Sequence, residues 1–488
     1  MRQRTIETAD AGLHTKWNAR LIGLVAVLAL VSFVADSAVS APLLVLPEML
    51  DHFDTDQVGW LNASATLAGV AWAPLLGKSA DIHGRRKILV LTLLISGAGA
   101  VLCAVAPSIW LFVPGRMLQG SALAAVFLAV AIVRSLCAPR IGLIVVGIVT
   151  SGSAVLNIAS RFLIEKLAED YGFQILFVLA AGVAFAMALA VRALIPESSI
   201  TTPGTIDFSG ALLLGGGLAG VLSYISLGSG LGWLSAGPLA LLVGGAAALA
   251  WWFLVSTRKP DPLIDIRNLG KPLGLTLFIV ALGAGAFQSM LQLISLISDV
   301  SPDEDLGYGL AGTGSVAILL GSAGIGIMVG GPLAGWLAAR LGPIPALAGV
   351  VTLGTVVSVG MFVGASHFAF ALCCALALGV VAGALLTSGF NTAGTLASPE
   401  RQGVVSGLIM VSVSIGSVVL DFVGAAMLKF TAVAVDGETS NSATGVYSYI
   451  AFASGAFAVA TVLVIMLGRT TRRRGDSSSP EPERAAMR

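Results

Sequence analysis

Long apolar segments dominate this chain and leave few folds open to it. Fourteen of them run roughly through 21–46, 58–77, 88–106, 109–133, 141–163, 173–194, 208–228, 237–256, 273–298, 312–339, 343–364, 367–388, 402–428 and 446–468. A helix needs about 20 mostly apolar residues to cross a bilayer. Alternation at period 2 is absent, which argues against a β-barrel. Most segments are rich in Gly, Ala and Leu, and small residues let helices approach closely in lipid. The expected fold is therefore an all-α polytopic membrane protein with 14 transmembrane helices. Charged residues make up only 11% of the 488 positions, against about 25% in a soluble globular protein. Such a chain cannot cover a soluble surface, so a soluble enzyme is excluded. The net charge of +1 gives no reason to expect a nucleic-acid partner.

The basic residues set the expected orientation, because cytoplasmic loops are enriched in Lys and Arg. With the N-terminus inside and fourteen spans, 23 of the 27 Lys and Arg residues fall on the cytoplasmic side. Arg161, Lys166 and Lys429 fall outside and Arg116 lies within a span. Acidic clusters at Glu48, Asp51, Asp54 and Asp56, and at Asp299, Asp303, Glu304 and Asp305, fall outside. Both termini are expected in the cytoplasm of a plasma-membrane protein. The polar first 20 residues give no sign of a cleavable signal peptide, and the tail after Arg469 reads as disordered.

Soluble-type chemistry has no visible machinery here. There is no GxxxxGK[ST] loop and no HExxH. His14, His52, His83 and His367 lie at span ends or in tails, and Cys103, Cys137, Cys373 and Cys374 read as buried free thiols. No cofactor and no metal are expected.

The strongest signal is GKSADIHGRRK, from Gly77 to Lys87, between the second and third segments. Gly77 would let two helices approach closely. Asp81 would pair with a base or a helix N-terminus. Gly84 permits the turn, and Arg85, Arg86 and Lys87 meet the positive-inside bias. This spacing resembles the GxxxDxxGRR[KR] signature of the major facilitator superfamily, where the loop is a conformational latch. LFVPGRMLQG, Leu111 to Gly120, is similar to the superfamily's fourth-span pattern through Arg116, Gln119 and Gly120. By that resemblance Arg116 modulates proton transfer; the alternative is an arginine pinned to a neighbouring helix. An intramembrane arginine costs on the order of 3 kcal/mol or more, so it needs a cavity and a partner.

Asp36, in ADSAVSAPLLVLP, resembles the first-span aspartate of the fourteen-span drug:proton antiporter group, with Ser37, Ser40 and Pro47 fitting loosely. It lies at a level Arg116 could reach. A proton carrier and a purely structural carboxylate are both open readings. KPDPLIDIRNL, Lys259 to Leu269, is similar to a cytoplasmic stretch of the same group through Pro262, Asp265 and Arg267. GPLAGWLAARLG, Gly331 to Gly342, occupies the latch position of the second half but keeps only Arg340 as a base. The Gly-Pro motif usual in the fifth span of exporters is missing from GIVTSGSAVLNIASRF, where Gly147 and Gly152 remain. That span instead carries Thr150, Asn157 and Arg161 on one helical face.

Two further polar features remain. Gln288, Gln292, Ser295 and Asp299 share a face of the ninth segment, as cavity lining or as packing glue. Asp421 near the end of the thirteenth reads either as a second titrating site or as a carboxylate reaching the headgroups. The resemblance implies two six-helix bundles, 21–194 and 273–468, joined by 195–272 with two extra helices, between tails 1–20 and 469–488. Expected proton-coupling residues are Asp36, Arg116 and Asp421, and expected cavity residues are Gln119, Asn157, Gln288 and Gln292. The implied function is proton-coupled export of a hydrophobic or amphipathic compound by a monomeric carrier in the lipid bilayer. Import of a small polar solute and a non-transporting membrane partner are the alternatives.

Overall fold

The computed structural model describes residues 16–55, 58–154, 156, 166–168, 170–198, 201–259, 262–264, 270–297, 315–431, 433–435, 438–440 and 442–477. The chain is a set of helices. The first half holds α1 (Ala19–Ser40), α2 (Leu46–His52), α3 (Val58–His83), α4 (Arg85–Ala104), α5 (Ile109–Gln119), α6 (Leu123–Leu136), α7 (Pro139–Ser151) and α8 (Gln174–Leu194). A pair follows, α9 (Phe208–Leu231) and α10 (Ala236–Ser256). The second half holds α11 (Lys271–Ile297), α12 (Ser315–Leu341), α13 (Pro343–Gly364), α14 (Phe368–Leu396), α15 (Gln402–Phe430) and α16 (Ala443–Ser477). A short antiparallel ribbon, β1 (Val433–Val435) and β2 (Glu438–Ser440), sits before α16 with Val433 opposite Ser440.

Among the described residues, twelve helical stretches are long and apolar enough to cross a membrane. Two of the fourteen expected segments fall short of that measure. The helix α3 has 26 residues, about 39 Å at 1.5 Å per residue, but Asn62, Lys78 and Asp81 dilute its apolar character. The described part of the 141–163 segment is the shorter apolar helix α7. Helix ends follow local chemistry. Asn18 caps α1 by accepting the Leu21 N–H at 2.8 Å, and Asp207 caps α9 by accepting the Gly210 N–H at 2.9 Å, each satisfying an orphan donor. The final helix continues to Ser477, past the expected boundary at 468.

Two large cores divide the molecule. One lies within α1–α8 and reaches across to Val280, Phe390, Val405 and Ile409 of the second half. The other lies within α11–α16, around Met290, Leu378, Ile450 and Phe457. A smaller core joins Ala211 and Leu214 of α9 to Leu263, Ile264 and Leu408. At the end of the first half opposite the 78–87 loop, Phe53, Phe112 and Phe177 pack ring to ring, with centroids 5.1 and 5.3 Å apart. The helix α10 presents Val243, Trp251, Phe253 and Leu254 outward, an apolar face suited to lipid.

Candidate functional site

A cavity of about 690 Å³ lies between the two halves. Its walls are mostly apolar, with Val126, Phe287, Leu291, Ile327, Leu386 and Met410 among them. Thr150, Ser153, Gln288 and Ser417 add polar groups, and Asp36 is the one charged residue among the described lining residues. The Asp36 carboxylate hydrogen-bonds the Ser153 side chain. It stands 17 residues after the start of α1 and four before its end, about 26 Å along the helix, so it lies in the half of α1 away from Ala19.

Among the described residues Arg116 makes no ion pair with Asp36, although it reaches the same level of α1. Its side chain is fully buried. Nη1 donates to the Ala38 carbonyl and to Gln119 Oε1, both at 2.6 Å, and Nε and Nη2 have no partner among the described residues. Rise per residue gives depth but not azimuth, and the azimuth directs the guanidinium to the α1 backbone two residues beyond Asp36. Gln119 is therefore the partner of Arg116 and is not part of the cavity wall, a correction to the sequence reading.

The cavity is closed at the end that carries residues 77–87. Hydrogen bonds that cross between the halves among the described residues all lie there. The uppermost joins Thr150 of α7 to Thr387 of α14 at 2.8 Å between hydroxyl oxygens. Below it, Gly147 meets the backbone of Gly331, and a Cβ on Gly77 would lie 2.8 Å from the Gly403 carbonyl. Only residues without side chains allow such backbone approach.

Asp81 accepts the N–H groups of Gly403 and Val404 at 2.9 and 3.0 Å, so a carboxylate sits on the first turn of α15, where the helix dipole favours negative charge. Arg85 pairs with Asp81 at 3.5 Å. It also donates to the Ala131 carbonyl at 3.0 Å and, across the halves, to the Pro399 carbonyl at 2.7 Å. Gly84 has φ +103°, a conformation that suits glycine alone. Arg86 turns away, its N–H donating to Glu197 Oε1 at 3.0 Å. Lys87 is exposed. The loop reading is thus resolved into Gly77, Asp81 and Arg85 crossing the interface, with Gly84, Arg86 and Lys87 supporting one side.

Arg134, at the end of α6, adds a second crossing that the sequence reading missed. Its Nη2 donates to the Phe390 carbonyl at 2.7 Å and Asn391 Oδ1 at 3.2 Å. An arginine closing an apolar helix carries no signal beyond the positive-inside bias, so only the packing reveals its target. The linkers join in: Thr202 donates its N–H to the Asp81 carbonyl at 2.8 Å and its hydroxyl to the Glu400 carbonyl at 3.2 Å. Lys259 ties the linker after α10 to Asp207 at the head of α9, 2.5 Å away. Burial opposes the Asp207 charge, but the hydrogen bonds from Lys259, Gly210 and Ser209 outweigh it and hold the carboxyl below the usual range.

The other expected residues scatter. Gln288 lines the cavity, whereas Gln292 is exposed and does not. Asp421 lies outside the cavity, beside Ser289 and Tyr449. Asp421 Oδ1, Ser289 Oγ and Tyr449 Oη are buried without hydrogen-bond partners among the described residues. Asn157, Arg161 and Asp299 lie outside the described residues. Trp72 of α3 lines a separate apolar groove and donates Nε1 to the Met117 carbonyl at 3.0 Å.

Comparison with known proteins agrees with this architecture. The family model described as Major Facilitator Superfamily matches residues 28–420. The chain is 25% identical over 385 residues to the multidrug resistance protein Stp of Mycobacterium tuberculosis, covering 77% of this chain and 70% of that one. It is 25% identical over 398 residues to a uridine/deoxyuridine transporter of Lactococcus lactis, covering 78% and 81%. The crystal structure of the E. coli fucose:proton symporter FucP superposes with a TM-score of 0.60 at 14% identity, over 92% of this chain and 99% of that one. That likeness establishes the fold.

Proposed function

We propose, from the premise that this chain belongs to the Major Facilitator Superfamily, that Asp36 is the proton-binding group of a carrier exporting hydrophobic or amphipathic compounds. The chain is a multi-pass membrane transporter of small molecules and not an enzyme. The observation that carries the finer reading is the central cavity itself. It is walled mainly by apolar side chains, and Asp36 is its one charged group among the described lining residues. Such a pocket suits an apolar body, with one carboxylate for a cationic or hydrogen-bonding end.

A proton and a cationic cargo cannot both satisfy the same carboxylate. Protonation discharges Asp36 and releases the cargo's counter-charge; deprotonation restores it. This competition is the minimal chemistry of antiport. Arg116 is a positioning residue here: by holding the Ala38 carbonyl it fixes the turn of α1 that carries Asp36. Gln288 contributes a polar wall from the second half. Asp421, beside Ser289 and Tyr449, is a second candidate proton site outside the cavity.

The fuller architecture is fourteen spans. Two six-helix bundles, 21–194 and 273–468, flank the pair α9 and α10, with α3 and the segment from Pro139 counted as spans. The basic loops support cytoplasmic termini and a plasma-membrane location. With that orientation the closed end is cytoplasmic and the cavity faces outward. Alternating access then follows from rocking of the halves, with Gly77, Asp81 and Arg85 as the latch and a monomer as the working unit.

The cargo class is tested with purified protein in liposomes carrying an internal pH dye. Lipophilic cations should drive proton movement across the membrane, and small polar solutes, nucleosides included, should not. A response confined to polar solutes would overturn the reading.

A further inference from the structure

We propose that a small inorganic anion of the chloride or phosphate class binds between the halves at the latch end, held by Arg85 and Arg134. A second cavity of about 260 Å³ lies there, separate from the central one. Arg85, Arg134 and Cys137 line it from the first half, and Gly394, Pro399 and Gln402 line it from the second.

The buried charge around this cavity does not balance. Two guanidiniums line it, Asp81 is the buried carboxylate beside them, and the exposed Glu400 adds a solvated charge that acts on Arg85. Asp81 is already committed to two backbone N–H groups and to Arg85. Among the described residues Arg134 meets neutral oxygens only, the Phe390 carbonyl and the Asn391 amide. Arg85 is 1% exposed. The Nε atoms of both arginines are buried and have no hydrogen-bond partner among the described residues. A buried charge is costly unless paired and hydrogen-bonded. An anion in the cavity would supply the missing counter-charge and accept from both N–H groups, as guanidiniums bind oxyanions elsewhere. Gln402 Oε1 is a buried acceptor that also lacks a partner among the described residues; the cavity is large enough for water to serve it.

The site is built for this placement of Arg134. A Cβ on Gly394 would overlap the guanidinium carbon, so glycine lets the group lie flat on the α14 backbone. Because both halves contribute walls, the bound anion stabilises only the form in which they touch. Differential affinity of this kind shifts the equilibrium toward the closed latch. The proposal is independent of proton coupling at Asp36 and survives if that reading fails.

The test uses purified full-length protein in detergent at fixed ionic strength, with gluconate replaced stepwise by chloride or by phosphate. Thermal unfolding should show a saturable rise in melting temperature with at least one of the two anions. Alkylation of Cys137, which lines the cavity, should slow over the same concentration range. Arg134→Gln should lose both effects, and Arg192→Gln, an exposed base on α8, should keep them. If Arg134→Gln does not fold, Arg134→Lys keeps the charge and should bind more weakly. Wild-type protein with no saturable response to either anion would overturn the proposal, as would an equal response in Arg134→Gln.

Discussion

Thr150 and Thr387, 237 positions apart in the chain, bring their hydroxyl oxygens to 2.8 Å at the floor of the central cavity. Each hydroxyl also lies on a carbonyl of its own helix, Val146 for Thr150 and Gly383 for Thr387, both at 2.9 Å. The pair is the deepest polar link between the halves among the described residues. Above it lies the space that holds Asp36, and below it lie the glycine crossings and the contacts of Asp81 and Arg85 with the second half.

Removing this link should loosen closure without disturbing either half. A buried hydrogen bond contributes about 1 kcal/mol net, or roughly a fivefold change in an equilibrium. Thr387→Val should therefore raise the alkylation rate of Cys137 about fivefold. A double-mutant cycle with Thr150→Val separates the shared bond from the loss of each hydroxyl.

The backbone approach at Gly77 and Gly403 leaves no room for a side chain. Gly77→Val should prop the halves apart at a cost of about 1–3 kcal/mol to the closed form. Transport should fall while each helical half stays folded. Cys137 alkylation and transport rate, read on the same preparation, check this.

Asp81→Asn removes the charge that faces Arg85 and the first turn of α15. Breaking a buried ion pair from one side costs about 3–5 kcal/mol. The latch should stay mostly open, with transport reduced by at least an order of magnitude. Asp81→Asn with Arg85→Gln should recover part of the loss, because no uncompensated charge is then left buried.

The Asp207–Lys259 pair makes a pH prediction with a fixed sign. The folded-state pKa of Asp207 is lowered, so its contribution is present above the unfolded value of about 3.9 and is lost as pH falls through the folded value. Melting temperature should drop in that acid window, and Lys259→Met should flatten the drop. Above pH 5 the variant should show the same pH profile as wild type.

Much of this was legible in the sequence, and the limits have physical causes. Apolar run length gave the helical membrane fold, and the spacing of Gly77, Asp81, Gly84 and Arg85 marked the loop from which Gly77, Asp81 and Arg85 meet the second half. Asp36 was legible as a carboxylate within a span. What a single helix cannot encode is azimuth against its neighbours. Arg116 was legible as an arginine within a span, yet its partners, Ala38 and Gln119, were not. Gln288 and Gln292 share a stripe, yet only Gln288 reaches the cavity. Arg134 and Gly394 are unremarkable where they stand, and their meaning appears only when α6 and α14 meet.

The central claim is that Asp36 carries the proton that drives cargo. The most direct measurement is substrate-dependent proton flux in liposomes under an imposed pH gradient, wild type against Asp36→Asn. Flux should be lost in the variant, while binding of a neutral apolar compound in the cavity persists. If Asp36→Asn moves protons with substrate as wild type does, with the same pH dependence, Asp36 is not the carrier and the account is wrong.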